Sequence, residues 1–218
     1  AGVKLLIDYA GYMPPWVIKP NPTSPLDCKW EEFDILMTEF AKFFGTMPEA
    51  KYFEFINEPN LNHSKTMTDD YLIALGRLYP IFKKYAPHVK ITTGGFCPAV
   101  PGSQPQFIER LLARPEIFDI IAYHEHGNYS HYRVTFDIVK KIAGPEHKPI
   151  INTEAAARSF MTAPREFYAQ ADQLVRKITY SKAVGMEYYN WFLMQDYWDK
   201  SIGADDTFSL VTVYNQPK

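Results

Sequence analysis

Short apolar runs alternate along this chain with longer stretches in which apolar residues return every three or four positions, and the alternation repeats to the end of the sequence. The first run predicts a strand over residues 3–9 (VKLLIDY), followed by a proline-rich loop to residue 25. Asp27 is placed to cap a helix in which Trp30, Phe33, Met37, Phe40 and Phe44 share one face, with Gly45 at its end. The central run, KYFEFINEPN over residues 51–60, predicts a strand at 52–57 that stops at Asn-Glu-Pro. Pro59 is expected to hold Glu58 in extended backbone, aiming its carboxylate from just past the strand end. Thr68 reads as the N-cap of a helix over 69–85 that Pro80 should kink.

The same unit recurs downstream. A strand over 89–93 ends at Gly94-Gly95 and leads to a short helix over 107–112. A strand over 120–124 has His126 two positions beyond its end and is followed by a helix over 134–142. Residues 150–153, in the stretch PIINTEAA, form the strand that delivers Glu154. Pro164 opens a helix through Phe167, Ala171, Leu174, Val175 and Ile178, which Gly185 closes. A last strand over 187–191 runs into the polar, aromatic loop LMQDYWDKSIGADD. The reading is six strands and five helices in one domain, residues 1–218, of the α/β class.

Strict alternation implies parallel strands with helical crossovers, and functional residues at the strand C-termini. No glycine-rich phosphate loop follows any strand: Gly94-Gly95 lacks a third glycine and no GxxxxGK occurs. Composition adds little to the fold, since 46% hydrophobic and 22% charged residues are ordinary for a globular chain. It does narrow the partners. A net charge of −2 without a basic run offers no footprint for a phosphate backbone, so nucleic acid is not expected. No apolar stretch reaches the roughly 18 residues of a membrane span, so no membrane is expected, and residues 1–12 lack the layout of a cleavable signal. Cys28 and Cys97 allow at most one disulfide and show no metal-site spacing. Aromatic residues make up 16% of the chain, with 15 tyrosines and 4 tryptophans whose flat faces and polar edges suit sugars or fill a core equally well.

Two strand-end carboxylates, Glu58 and Glu154, imply paired acid/base chemistry, although the residues alone leave open which has the raised pKa. The order of these motifs, NEP closing one strand, TE closing another and a tryptophan ending the last, resembles the retaining β/α-barrel glycoside hydrolases of clan A. The Trp191 loop and the ending FSLVTVYNQPK look most like the branch that includes β-xylosidases and iduronidases. The resemblance implies a TIM-type (β/α)8 barrel in which Glu58 ends the fourth strand, Glu154 the seventh and Trp191 the eighth. On that register these residues run from strand three to strand eight. The first two β/α units and the last helix are then expected from the rest of a longer polypeptide.

The resemblance also implies roles. Glu58 would be the acid/base and Glu154 the nucleophile, with Asn57 bonded to the sugar 2-hydroxyl and Trp191 beneath the sugar. His124 and His126 would position the nucleophile, with Tyr123 or Tyr129 sharing that job. Asp8 and Tyr9 end the first strand and are candidates for substrate hydroxyls, and Tyr12, Trp16, Tyr197 and Trp198 for outer subsites. The expected partner is a carbohydrate and no cofactor is called for. Two rivals remain: a metal-dependent barrel hydrolase built on His124 and His126 with Glu154 and Asp8, and a carbohydrate-binding barrel without turnover. Asn62-His63-Ser64 and Asn128-Tyr129-Ser130 match the glycosylation acceptor pattern, but so short a pattern leaves the compartment open.

Overall fold

The computed structural model describes residues 4–9, 13–61, 65–99, 101–157, 164–192, 198–199 and 204–205. The described elements are β1 (Leu5–Tyr9), α1 (Trp30–Gly45), β2 (Ala50–Phe55), α2 (Lys65–Tyr85), β3 (Lys90–Ile91), α3 (Pro105–Leu112), a 3-10 turn (Pro115–Ile117), β4 (Ile121–Glu125), α4 (Tyr129–Ala143), β5 (Ile150–Ala155), α5 (Pro164–Ala183), β6 (Tyr189–Trp191), β7 (Trp198–Asp199) and β8 (Ala204–Asp205). The chain clusters into two compact units, residues 1–122 with 142–149, and residues 123–141 with 150–218. No helix among the described residues is long and apolar enough to cross a membrane.

In the first unit β1, β2 and β3 pair in chain order, and both pairings are parallel. Parallel neighbours cannot be joined by a tight turn, so α1 and α2 serve as the crossovers. Because side chains alternate along a strand, Phe53 and Phe55 of β2 turn toward the helices while Tyr52 and Glu54 turn to the opposite face. Phe53 stacks on Phe82 of α2 with ring centroids 4.5 Å apart. Phe55 meets Phe33 of α1 edge-on at 5.8 Å and Tyr71 of α2 at 6.0 Å. Both faces of β2 are buried, as parallel sheets require, and Glu54 is therefore a carboxylate only 2% exposed.

Helix α1 buries Phe33, Met37, Ala41 and Phe44, a spacing that keeps one stripe on the sheet. Asp34 on its flank receives a two-point bond from Arg77 of α2, Nε at 2.9 Å and Nη2 at 2.6 Å. Close approach at the helix ends requires Gly45, where a Cβ would lie 2.2 Å from the Tyr85 carbonyl oxygen.

Two capping expectations are corrected. Asp27 is not the cap of α1; Lys29 occupies that position without a side-chain bond, because Asp27 is taken by Lys19 Nζ at 2.6 Å and the Thr23 amide at 3.1 Å. Helix α2 begins at Lys65 rather than after Thr68, and it runs unbroken through Pro80. Cys28 and Cys97 are both free thiols, and burial pushes Cys28 up to about 11.

In the second unit β4, β5 and β6 again follow chain order. Asn152 of β5, fully buried, donates to the Tyr123 carbonyl of β4 at 3.0 Å. The stretch read as a loop after β6 contains a short antiparallel pair, Trp198 opposite Asp205 and Asp199 opposite Ala204. Among the described residues neither sheet contains a reversal of strand order, which is the feature that makes the switch-point crevice of a doubly wound fold.

Helix α5 carries Lys177, which is fully buried. Burial pushes its ammonium from the usual 10.5 down to about 8, with Glu125 pulling the other way. Below pH 8 the folded and unfolded chains both hold that proton, and the folded chain bears the cost of burying it. Between 8 and 10.5 only the unfolded chain holds it, so stability rises with pH in that window. Urea unfolding across pH 7–10.5 should therefore show the wild type gaining up to about 3 kcal/mol relative to Lys177→Met. A pH-independent difference between the two proteins would contradict the burial of the charge.

Candidate functional site

Glu58 and Glu154 both emerge just past or at the C-terminal end of a parallel strand, Glu58 after β2 and Glu154 within the last two residues of β5. Each belongs to a different unit.

The turn after β2 is strained. Ile56 has φ 67° and Glu58 has φ 48°, left-handed values that a β-branched residue rarely adopts and that cost on the order of 1–3 kcal/mol each. The extended backbone expected of Glu58 is thus corrected. The preference imposed by Pro59 is overridden by the bonds that close the turn, Ile56 N–H to the Tyr9 carbonyl at 2.8 Å and Leu61 N–H to the Glu58 carbonyl at 3.0 Å. Tyr71 supports the turn from α2, its hydroxyl lying 2.9 Å from the Phe55 carbonyl and 2.8 Å from the Thr93 carbonyl. Burial, with Glu54 adding to it, raises this phenol well above its usual pKa, so it stays a donor. Gly94, at φ 74°, lets β3 come close: a Cβ there would stand 2.5 Å from the Tyr71 hydroxyl and 3.1 Å from the Ile56 carbonyl oxygen.

Asn60, also fully buried, grips the backbone of Cys97 from both sides. Its Oδ1 accepts the Cys97 amide at 2.8 Å and its Nδ2 donates to the Cys97 carbonyl at 2.8 Å and to Ser103 Oγ at 3.0 Å. That clamp presents Cys97 Sγ to Glu58 Oε1 at 3.0 Å, where the thiol donates to the carboxylate. Glu54, two residues before Ile56, accepts from Thr92 Oγ1 at 3.1 Å and is paired in register with Asp8 of β1. Sequence reasoning missed Cys97, Asn60 and Glu54. The one local signal was the carboxylate of Glu54 inside an otherwise apolar run.

In the second unit two imidazoles converge on Glu154. His126 Nε2 is 2.9 Å from Glu154 Oε1 and His124 Nδ1 is 3.7 Å from Glu154 Oε2. His124, 2% exposed, is turned by its other nitrogen, which lies 3.1 Å from Thr153 Oγ1. His126 and Glu154 remain partly exposed, at 26% and 19% of their side chains. The ring of His126 also meets Phe192 edge-on at 5.8 Å. The His126 separation is that of an N–H···O bond to a carboxylate, so the nearer oxygen of Glu154 is held in place.

Asn57 lies partly exposed in the turn next to Glu58, and Asp8 is exposed on β1. Tyr9 packs against Phe40 at 5.5 Å and Phe55 at 5.9 Å, on the helix side of β1. Tyr129 opens α4 and meets Tyr180 of α5 edge-on at 6.1 Å. Trp191 ends β6, half-buried, in register with Ala155. Trp16 is exposed. Tyr12, Tyr197, the Asn62-His63-Ser64 acceptor and the side chain of Trp198 lie outside the described residues.

No family model matches the sequence, and no curated protein matches it. Solved structures do. A Bacteroides uniformis β-glucuronidase matches with TM-score 0.69 at 16% identity, over 100% of this chain and 27% of that one. A psychrophilic glycoside hydrolase family 10 endo-β-1,4-xylanase matches with TM-score 0.70 at 14% identity, over 98% of this chain and 72% of that one. A glucosidase from Croceicoccus marinus matches with TM-score 0.72 at 13% identity, over 99% of this chain and 48% of that one. The chain shares the α/β fold of these glycosidases. It spans about a quarter of the length of the β-glucuronidase and about half of the glucosidase.

Gly94→Ala should destabilise the chain by at least about 2 kcal/mol, since left-handed backbone alone costs an alanine roughly 1–2 kcal/mol and the added Cβ also meets the Tyr71 hydroxyl. Urea unfolding measures this. A change under about 0.5 kcal/mol, within the range of an ordinary surface substitution, would mean that the close approach of β3 to the turn is absent.

Proposed function

We propose that the chain carries the catalytic residues of a retaining glycoside hydrolase acting on a β-glycosidic bond in an oligo- or polysaccharide. The observation that carries this reading is that each strand-end glutamate is held by a side chain, Glu58 by the Cys97 thiol and Glu154 by His126. A glutamate serving only solubility needs no such partner. The shared fold supports it, since the similar structures include a β-glucuronidase and an endo-β-1,4-xylanase. In the proposed register β1 to β6 correspond to strands three to eight of a (β/α)8 barrel, whose active site lies at the strand C-termini.

In this reading the Glu154 carboxylate attacks the anomeric carbon as the glycosidic C–O bond breaks, and the leaving oxygen takes the proton of Glu58. Water then attacks the same carbon, Glu58 accepts its proton and Glu154 departs as the leaving carboxylate. The bond from His126 holds the nucleophile's nearer oxygen, leaving the other for attack. Asn57 is assigned to the sugar 2-hydroxyl and Trp191 to the sugar face. Double displacement requires the two carboxyls to come within roughly 5 Å of each other, against the 6.5–9.5 Å of inversion.

Kinetics on the full polypeptide test the roles. Glu154→Ala should abolish turnover of every substrate. Glu58→Ala should lose about 10²- to 10⁴-fold on poor leaving groups but little on activated aryl β-glycosides, and azide should restore turnover of those as the β-glycosyl azide. Equal losses on both substrate types, or a first-formed product of inverted configuration by NMR, would overturn the assignment.

A further inference from the structure

Lys177 is the only fully buried lysine or arginine among the described residues, and its environment is built around its charge. From the middle of α5 its Nζ reaches the Gly127 carbonyl at 2.5 Å and the Ala156 carbonyl at 2.7 Å. Gly127 directly follows His126, and Ala156 lies two residues beyond Glu154. The ammonium also lies 5.3 Å from the ring centroid of Tyr132 on α4 and 5.9 Å from that of Trp191 at the end of β6. One cation thus ties together the segments that leave β4, β5 and β6.

The turn at Gly127 is gripped from its other side as well. Glu125 Oε1 accepts the Gly127 amide at 2.5 Å while its Oε2 accepts from Thr135 Oγ1 at 2.5 Å. A Cβ on Gly127 would stand 2.5 Å from Glu125 Oε1 and 2.9 Å from the Cβ of His131, so the turn has no room to shift toward either. Its N–H is bonded to Glu125 and its C=O to Lys177. Burying an ammonium is costly, as the fall of its pKa to about 8 despite the attraction of Glu125 records. An apolar side chain of similar volume would avoid that cost but leave two carbonyls unpaired.

We propose that Lys177 is a positioning residue, whose ammonium holds the turns beyond β4 and β5 so that His126 and Glu154 meet at hydrogen-bond distance. The geometry does not depend on the glycosidase reading, but the effect on catalysis does. Neutral amines donate weaker hydrogen bonds than ammonium groups, so the hold should loosen as the proton leaves. The groups facing it are Glu125 from β4, Tyr132 from α4 and Trp191 from β6.

Two readouts separate the inference from the function it would serve. Imidazole 15N and 13C spectra of the full chain should show the His126 signals displaced in Lys177→Met. Those of His88, bound to the Met47 carbonyl in the first unit, should stay unchanged. In the wild type the His126 signals should show an additional inflection near pH 8, a measurement that needs no variant to fold. On an aryl β-glycoside, Lys177→Met should lower kcat about 10- to 100-fold with KM within threefold, as loss of nucleophile orientation predicts. Unchanged His126 signals in both the variant and the wild-type titration would overturn the positioning role. If Glu154→Ala kept full activity, the glycosidase reading would fail, and the NMR result would still decide the role of Lys177.

Discussion

Parallel pairing of the strands is the constraint on which the rest depends. Once β1, β2 and β3 run in the same direction, every connection must cross back as a helix, and both faces of the middle strand are covered. Apolar side chains fill the strand interior, and polar groups are driven to the strand ends or must be paired where they stand. The candidate residues follow this rule in each unit, Glu58 just beyond β2 and His126 just beyond β4. It is the same rule that puts function at strand C-termini across β/α folds, here reached from burial and hydrogen bonding.

The exceptions are costly, and each has a visible compensation. Ile56 and Glu58 adopt left-handed backbone, which persists because Tyr9, Tyr71 and Leu61 over-determine the turn with hydrogen bonds and Gly94 makes room for it. Glu54 is buried inside the sheet but takes the Thr92 hydroxyl. Lys177 is buried but finds two carbonyls and two aromatic faces. A buried polar group that is satisfied rigidifies its surroundings, because any movement would leave it unpaired in a medium of low dielectric. These groups cluster at the strand ends that carry the candidate chemistry, as pre-organisation of that chemistry demands.

The two glutamates are held by different means. Cys97 reaches Glu58 through a backbone clamp, in which Asn60 fixes both the amide and the carbonyl of the thiol-bearing residue. Glu154 is approached by side chains of the neighbouring strand, where the two-residue period of β4 brings His124 and His126 toward the same carboxylate. A thiol is a weak donor and an imidazole a stronger one, so the two carboxylates sit in chemically distinct settings. Distinct settings are what separate an acid from a nucleophile in paired-carboxylate chemistry.

The sequence by itself determined the order of β1 to β6 and of the five helices between them, and the positions of Glu58, Glu154 and Trp191 at strand ends, but not the β7–β8 pair. Those features rest on local periodicity and on punctuation by proline and glycine, which act over a few residues. Contacts made across the chain were not legible. Cys97 lies 39 residues from Glu58, Lys177 lies 50 from Gly127, and which of them meet depends on which strands pair. Only the tertiary structure decided that Asp27 serves Lys19 rather than the helix, that Tyr9 faces α1, and that Glu58 takes a left-handed turn despite the proline after it. For Glu58 and Tyr9 the deciding hydrogen bonds and ring contacts exist only once distant segments are packed together, whereas Asp27 is held by Lys19 and Thr23 of its own loop.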